Sequence, residues 1–266
     1  MEIIVTVNSL LTNIASACIL RNAKKVQIHA SISYIKTNLK NHFQDNITGV
    51  IVFGSHSRNT ILPREYDKCS DIDIMVIFKN PYHQPQTYLN QLKRFTESLY
   101  TQSQIKQSNP TVQLHMNHIT FELVPAIRGL LGGLKIPAPS SNYINWIDTD
   151  PTGFNNNLII ANQNNSNLTK PLVRILKRWN AIAGYPYESY ELEKQIVNNS
   201  PSYYTHNWLP KYFYDAVSSL DYSWLEAQWK KDKIEALKRA TISAKQNEQG
   251  GNPYPAESDI SKIIWV

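Results

Sequence analysis

Two aspartates placed two positions apart, Asp71 and Asp73, are the residues of this sequence best suited to do chemistry. They flank the start of an apolar run, residues 72–78, which predicts a buried β-strand, and alternate residues of a strand point to the same face. Two carboxylates on one face repel each other and are costly to bury unpaired, so such a pair usually holds a cation. Oxygen-only ligands suit Mg²⁺, which usually binds together with substrate phosphates.

A Gly-Ser turn, Gly54-Ser55, lies upstream of the aspartates and ends another apolar run, residues 47–53. Backbone N–H groups at the start of a helix that follows such a turn are a ready site for phosphate. The turn and the acidic pair together predict a phosphate cradle that faces a metal site.

The elements that must position these residues follow from the spacing of apolar side chains. Residues 9–43 repeat them at three- and four-residue steps, which predicts one long helix. Strands are expected over residues 47–53 and 72–78, and a helix over residues 87–100. The chain is therefore predicted to be α+β, with its strands and its acidic site in the first half.

The segment after residue 110 predicts a β-hairpin and then a helical half. Residues 112–116 and 119–124 form the two arms, and Pro125 is expected to end the second. Residues 129–141 are rich in Gly, Pro and Ser and predict a loop. Helices are expected from residue 152 onward, with candidates at residues 168–182, 188–197, 208–220 and 224–244.

Composition limits the class of protein. A chain of 266 residues with 42% hydrophobic content is typical of one large folded domain or two small lobes. A net charge of +6 favours an anionic partner, which could be a nucleoside triphosphate or a nucleic acid. The alternative is that the positive charge only aids solubility. The two cysteines have no zinc-binding spacing and fit a reducing cytoplasm, and we find no signal peptide or membrane-spanning run.

Three motifs together resemble the bacterial cGAS/DncV-like nucleotidyltransferases, a branch of the DNA polymerase beta-like superfamily. They are Phe-Gly-Ser-His-Ser-Arg-Asn-Thr at residues 53–60, Ser-Asp-Ile-Asp at 70–73 and Phe-Glu-Leu-Val-Pro-Ala at 121–126. Weaker matches extend the resemblance over most of the chain, at residues 171–180, 188–193 and 256–265.

This resemblance implies a bilobal α+β fold. Residues 1–165 would form a catalytic lobe with a mixed sheet and a long N-terminal helix, and residues 166–266 a helical lobe that closes the nucleotide site. The implied activity is that of a metal-dependent, template-independent nucleotidyltransferase that joins ATP, GTP or other nucleoside triphosphates into a cyclic or linear oligonucleotide second messenger in anti-phage defence. A separately encoded effector protein would sense the product. A nucleic acid or a protein could activate the enzyme, and no membrane partner is expected.

The resemblance also implies a metal site of two Mg²⁺ or Mn²⁺ ions held by Asp71, Asp73 and Glu122. The family usually has Asp at the third position, so Glu122 is the main departure in this sequence. The alternative third acid is Asp148 or Asp150, although Thr149 and Pro151 make that stretch look like a turn rather than a strand.

Five residues are implied to bind the donor nucleotide. The triphosphate would contact Gly54, Ser55, Lys177 and Ser189, and the base would stack on Tyr190. The alternatives are that Lys177 lies on a solvated helix face and that Tyr190 is a core residue.

Two other functions fit the same motifs. The chain could transfer nucleotides to tRNA or protein, or it could be a non-catalytic nucleotide-binding module. The long N-terminal helix and the helical second half favour the messenger synthase, because the minimal nucleotidyltransferases that modify tRNA or protein are much shorter. The presence of all three acids argues against the non-catalytic module.

Overall fold

The computed structural model describes residues 6–100, 104–108, 111–138, 145–199 and 208–265. Its α-helices are α1 Val7–Ala17, α2 Asn22–Phe43, α3 Gly54–Ser57, α4 Pro85–Leu99, α5 Pro151–Asn164, α6 Thr169–Ile182, α7 Ser189–Asn198, α8 Leu209–Ser219, α9 Gln228–Gln249 and α10 Pro253–Ile264. Its strands are β1 Ile47–Phe53, β2 Asp71–Phe78, β3 Gln104–Ser108, β4 Thr111–His115, β5 Thr120–Arg128, β6 Leu134–Pro137 and β7 Trp146–Thr149.

The chain forms two compact units. The sheet unit takes the described residues within 20–61 and 69–155, and the helical unit takes those within 1–19, 62–68 and 156–266. This division differs from a single boundary after residue 165. The reason is that the apolar face of α1 and Leu62 belong to the same buried core as α6, α8 and α10.

The N-terminal segment forms two helices where one was expected over residues 9–43. Leu11 and Ile14 of α1 are buried in the core of the helical unit, whereas Ile28 and Ile35 of α2 are buried in the core of the sheet unit. The helical spacing of apolar residues continues on both sides of the break, but the apolar face of α1 packs in one core and that of α2 in the other. The helix is therefore interrupted, with α1 ending at Ala17 and α2 beginning at Asn22.

The sheet is mixed, as expected from the resemblance. Its order is β1-β2-β5-β4-β3, with β6 paired to β5 and β7 to β6. Strands β2 and β5 run parallel, and the other described pairs are antiparallel. Helices α2 and α4 cover one face, where they share a buried core with β2 and β5.

Two expectations about β5 and its surroundings were wrong. Pro125 does not end the strand, because β5 continues to Arg128 and pairs with β2 throughout. A proline is tolerated there because the described pairs with β4 stop at Leu123 and those with β6 start at Ile127. The predicted loop over residues 129–141 contains strand β6, which packs back on the end of β5.

The helices were compared with the length and the hydropathy of a membrane-spanning segment. Within the described residues, every helix is either too short or too polar to cross a bilayer.

Candidate active site

The three predicted acids come together on the face of the sheet opposite α2 and α4. In β2, Ile72 and Ile74 point into the core under those helices, so Asp71 and Asp73 point to the other face. Glu122 of β5 is the direct neighbour of Asp73 in the parallel pair. Ligand oxygens of the three half-buried carboxylates all lie within 4.8 Å of one another.

This donor set fits a hard divalent cation. Carboxylate oxygens are the ligands that Mg²⁺ and Mn²⁺ prefer, whereas Zn²⁺ sites in proteins usually include His or Cys. Three carboxylates held this close repel one another, and a bound cation would offset that repulsion. The cluster therefore has the composition and the spacing expected of a magnesium or manganese site.

Gly54 allows the end of β1 to approach Asp73. Phe53 pairs with Asp73 across β1 and β2, and the next residue, Gly54, has a φ of +70°. A Cβ atom added to Gly54 would lie 1.7 Å from Oδ2 of Asp73 and 2.6 Å from its Cγ. Only glycine fits here, since a side chain would collide with the Asp73 carboxylate and strain the backbone.

The turn after Gly54 is held by its own hydrogen bonds. The carbonyl of Ser55 accepts from the backbone N–H groups of Thr60 at 3.0 Å and Ile61 at 3.1 Å. The Ser57 hydroxyl donates to the carbonyl of Gly54 at 2.9 Å. These bonds hold Ser55 in the turn that follows Gly54, and its contact to phosphate stays a prediction.

His56, in the same turn, contributes little positive charge at neutral pH. Burial lowers the pKa of its imidazole below 6.5, and the nearby His29 and Lys25 of α2 lower it further. The rings of His29 and His56 meet edge to face, with centroids 5.5 Å apart. The His56 imidazole therefore packs against α2, and the lowered pKa favours its neutral form at pH 7.

Glu122 is held by a neighbour that the sequence analysis missed. Gln113 of β4 lies directly opposite it, and the Gln113 Nε2 group donates to Glu122 Oε1 at 2.7 Å. The signal was present in the sequence, because the two-residue turn at residues 117–118 of the predicted hairpin sets the register that pairs 113 with 122.

The alternative third acids lie in other environments. Asp148 belongs to strand β7, so the interpretation of this stretch as a turn was wrong, but its carboxylate is 83% exposed and lies 3.2 Å from Lys135 Nζ. Asp150 Oδ1 accepts from the backbone N–H of Gly153 at the start of α5. Neither belongs to the carboxylate cluster, which leaves Glu122 as the third acid of the site.

Lys177, Ser189 and Tyr190 all belong to the helical unit. Lys177 of α6 is buried, and its Nζ lies 3.1 Å from Oε1 of the buried Glu193 in α7. This excludes the solvated helix face as its environment. Ser189 begins α7, and Tyr190 is 48% exposed, so it is not a core residue.

The comparisons with known proteins identify the family and the fold. Residues 5–162 match the family model of the Second Messenger Oligonucleotide or Dinucleotide Synthetase domain, SMODS. The match spans more than half of the chain and includes Gly54, Ser55 and all three acids. The chain belongs to the SMODS family. Among curated proteins, none matches it.

Solved structures show the same fold as this SMODS chain. The Vibrio cholerae DncV cyclic AMP-GMP synthase, in complex with a linear intermediate, has a TM-score of 0.79 and 11% identity, over 98% of this chain and 95% of that one. The Bradyrhizobium diazoefficiens CD-NTase CdnG in complex with GTP has a TM-score of 0.72 and 11% sequence identity, over 97% of each chain. CdnC of E. coli MS115-1 with ATP has a TM-score of 0.71 and 14% sequence identity, over 98% of each chain. The resemblance to the bacterial cGAS/DncV-like enzymes and the α+β bilobal fold are confirmed.

Proposed function

We propose that this protein is a metal-dependent, template-independent nucleotidyltransferase that joins nucleoside triphosphates into a cyclic or linear oligonucleotide second messenger. The observation that carries the proposal is the cluster of Asp71, Asp73 and Glu122, with ligand oxygens within 4.8 Å of one another, in a chain of the SMODS family. A non-catalytic module would have no need for three carboxylates at this spacing.

Each of the proposed active-site residues of the sheet unit has its own role in the reaction. Asp71, Asp73 and Glu122 would hold two Mg²⁺ or Mn²⁺ ions, which when bound neutralise the triphosphate and make an acceptor ribose hydroxyl more acidic. Glu122 lies nearest the acceptor side in this assignment, and Gly54-Ser55 would orient the terminal phosphates of the donor. The chain thus acts mainly by holding the two reacting groups in line and by compensating charge.

The comparisons support nucleoside triphosphates as substrates. The CdnG and CdnC structures were solved with GTP and with ATP. A further structure shows E. coli CdnC in complex with HORMA, which supports a protein partner for the present chain, and we propose an activator as the role of such a partner. We place the protein in the cytoplasm, in anti-phage defence, upstream of a separately encoded effector; its two free cysteines, Cys18 and Cys69, suit a reducing compartment.

One incubation tests the proposed function. The pure protein is mixed with labelled nucleoside triphosphates and Mg²⁺ or Mn²⁺, without an acceptor, and products are separated after phosphatase treatment. A small, phosphatase-resistant product supports messenger synthesis. Label that appears only in added tRNA or protein supports the modifying enzyme instead, and the absence of turnover under all of these conditions supports a binding module.

Replacing Glu122 tests the third acid. We expect Glu122→Gln to lower kcat by about 100-fold or more, because the variant keeps the shape of the side chain but loses the charge that activates the acceptor. Glu122→Asp should retain part of the activity. Binding of the donor triphosphate, measured by calorimetry, should change little in either variant, since Asp71 and Asp73 remain.

Asp148→Asn is the matched control for this experiment. It removes an acid of the same unit that lies outside the cluster and is paired with Lys135. The assignment of Glu122 is contradicted if Glu122→Gln is fully active while Asp148→Asn is inactive.

Tyr190 is proposed to stack on a nucleobase, which its exposure permits. Tyr190→Phe should then be mild, because the aromatic face remains, whereas Tyr190→Ala should weaken nucleotide binding by roughly 1–3 kcal/mol. Equal losses in the two variants, measured as KM for each nucleotide, would show that the hydroxyl matters and that stacking is the wrong explanation.

A further inference from the structure

We propose that Gln113 is a positioning residue that aims the carboxylate of Glu122 at the metal site. The activity part of this inference rests on the proposed function, but its metal-binding part does not. Gln113 itself is not assigned to substrate or to metal, and its effect is exerted through Glu122.

The contact between the two side chains is specific. Gln113 and Glu122 are directly opposite on the antiparallel strands β4 and β5, so their side chains leave the sheet on the same face. The distance from Gln113 Nε2 to Glu122 Oε1 is 2.7 Å, at the short end of the range for an N–H···O hydrogen bond. An ionised carboxylate only accepts hydrogen bonds, so the amide must present its NH₂ group to it.

The length of Glu122 explains why such a partner is needed. Glutamate has one more methylene than the aspartate that usually occupies this position in the family, and therefore one more rotatable bond between the strand and the carboxylate. Asp71 and Asp73, which are shorter, need less help to hold their orientation. Engaging Oε1 with Gln113 removes this freedom and leaves lone pairs of the carboxylate available to a cation, which is how residues behind metal ligands commonly tune a site.

An ordinary cross-strand contact is the competing explanation. A Gln-Glu pair on neighbouring strands can stabilise a sheet without any role in metal binding. The two explanations differ in what a substitution changes: a sheet contact affects unfolding alone, whereas a positioning residue affects the affinity for the metal.

Mn²⁺ binding measured by electron paramagnetic resonance separates the two. Gln113→Met keeps the length of the side chain and removes the donor, and we expect it to raise the Mn²⁺ dissociation constant by about 10- to 100-fold with little change in Tm. Gln246→Met, at an exposed position of α9, is the matched control and should leave both quantities unchanged. A lower Tm with unchanged Mn²⁺ affinity in Gln113→Met would overturn the inference.

A double-variant cycle makes the test specific to Glu122. An aspartate at position 122 is too short to keep the bond to Gln113, so Gln113→Met should cost little Mn²⁺ affinity in a Glu122→Asp background. Equal losses in both backgrounds would overturn the inference and leave the proposed function intact. If the wild-type protein itself fails to bind Mn²⁺, the inference is overturned, whereas the proposed function is decided separately by the incubation with labelled nucleoside triphosphates.

Discussion

Gly54→Ala should remove nucleotidyl transfer while the chain still folds. The added Cβ would lie 1.7 Å from Asp73 Oδ2, so the carboxylate or the end of β1 must shift by an ångström or more. A displacement of about 1 Å in a catalytic group can cost roughly 100-fold in rate, and the group displaced here is the carboxylate that we propose binds the metal. We therefore expect kcat/KM to fall by about 100-fold or more, together with weaker Mn²⁺ binding.

Gly132→Ala is the matched control. Gly132 has a φ of +85°, so alanine is strained there too, but an added Cβ would meet no atom within 4 Å. Backbone strain should cost each variant about 1–2 kcal/mol of stability, and the collision with Asp73 adds to this cost in Gly54→Ala alone. Only Gly54→Ala should lose activity; equal activity losses in the two would show that strain, not contact with Asp73, is responsible.

Lys177→Ala should destabilise the protein strongly, by about 3–5 kcal/mol in the free energy of unfolding. The side chains of Lys177 and Glu193 are 5% and 1% exposed, and their charged atoms lie 3.1 Å apart. Alanine removes the ammonium and leaves the Glu193 carboxylate buried without that partner. Urea unfolding, followed by circular dichroism, measures the change.

A second variant and a control keep this prediction specific. Replacing both partners, Lys177→Met with Glu193→Leu, should restore much of the stability because neither charge of the pair is then left buried without the other. Lys194→Ala, which removes the exposed pair with Glu191 in α7, should cost about 0–1 kcal/mol. If Lys177→Ala instead raises KM for nucleotide with unchanged stability, Lys177 contacts phosphate and the buried pair is not its main role.

The sequence predicted strands β1 and β2 well because their signals are local. The apolar runs at residues 47–53 and 72–78 match β1 and β2 to within one residue, and the alternation of β2 placed Asp71 and Asp73 on one face. The placement of Glu122 beside Asp73 came from family resemblance, since parallel pairing of distant strands has no local signal.

What the sequence did not predict depends on contacts between distant segments. The break between α1 and α2 reflects two different cores, and periodicity does not reveal which core a stripe will join. Lys177 was predicted to contact phosphate, but its helix gave no sign that Glu193 of α7 would bury and pair with it. Strand β5 continues through Pro125 because the described pairs with β4 stop at Leu123 and those with β6 start at Ile127. No described pair on that side therefore needs the backbone N–H that proline lacks.

The central claim is that the carboxylate cluster drives metal-dependent nucleotidyl transfer, and Asp73→Asn tests it most directly. Asparagine has the same shape as aspartate but carries no charge, so the fold should persist, as an unchanged Tm would verify. Pyrophosphate release from nucleoside triphosphates in saturating Mg²⁺ is compared between wild type and variant. We predict turnover by the wild-type protein and no detectable turnover by Asp73→Asn; a folded variant that releases pyrophosphate near the wild-type rate would contradict this account.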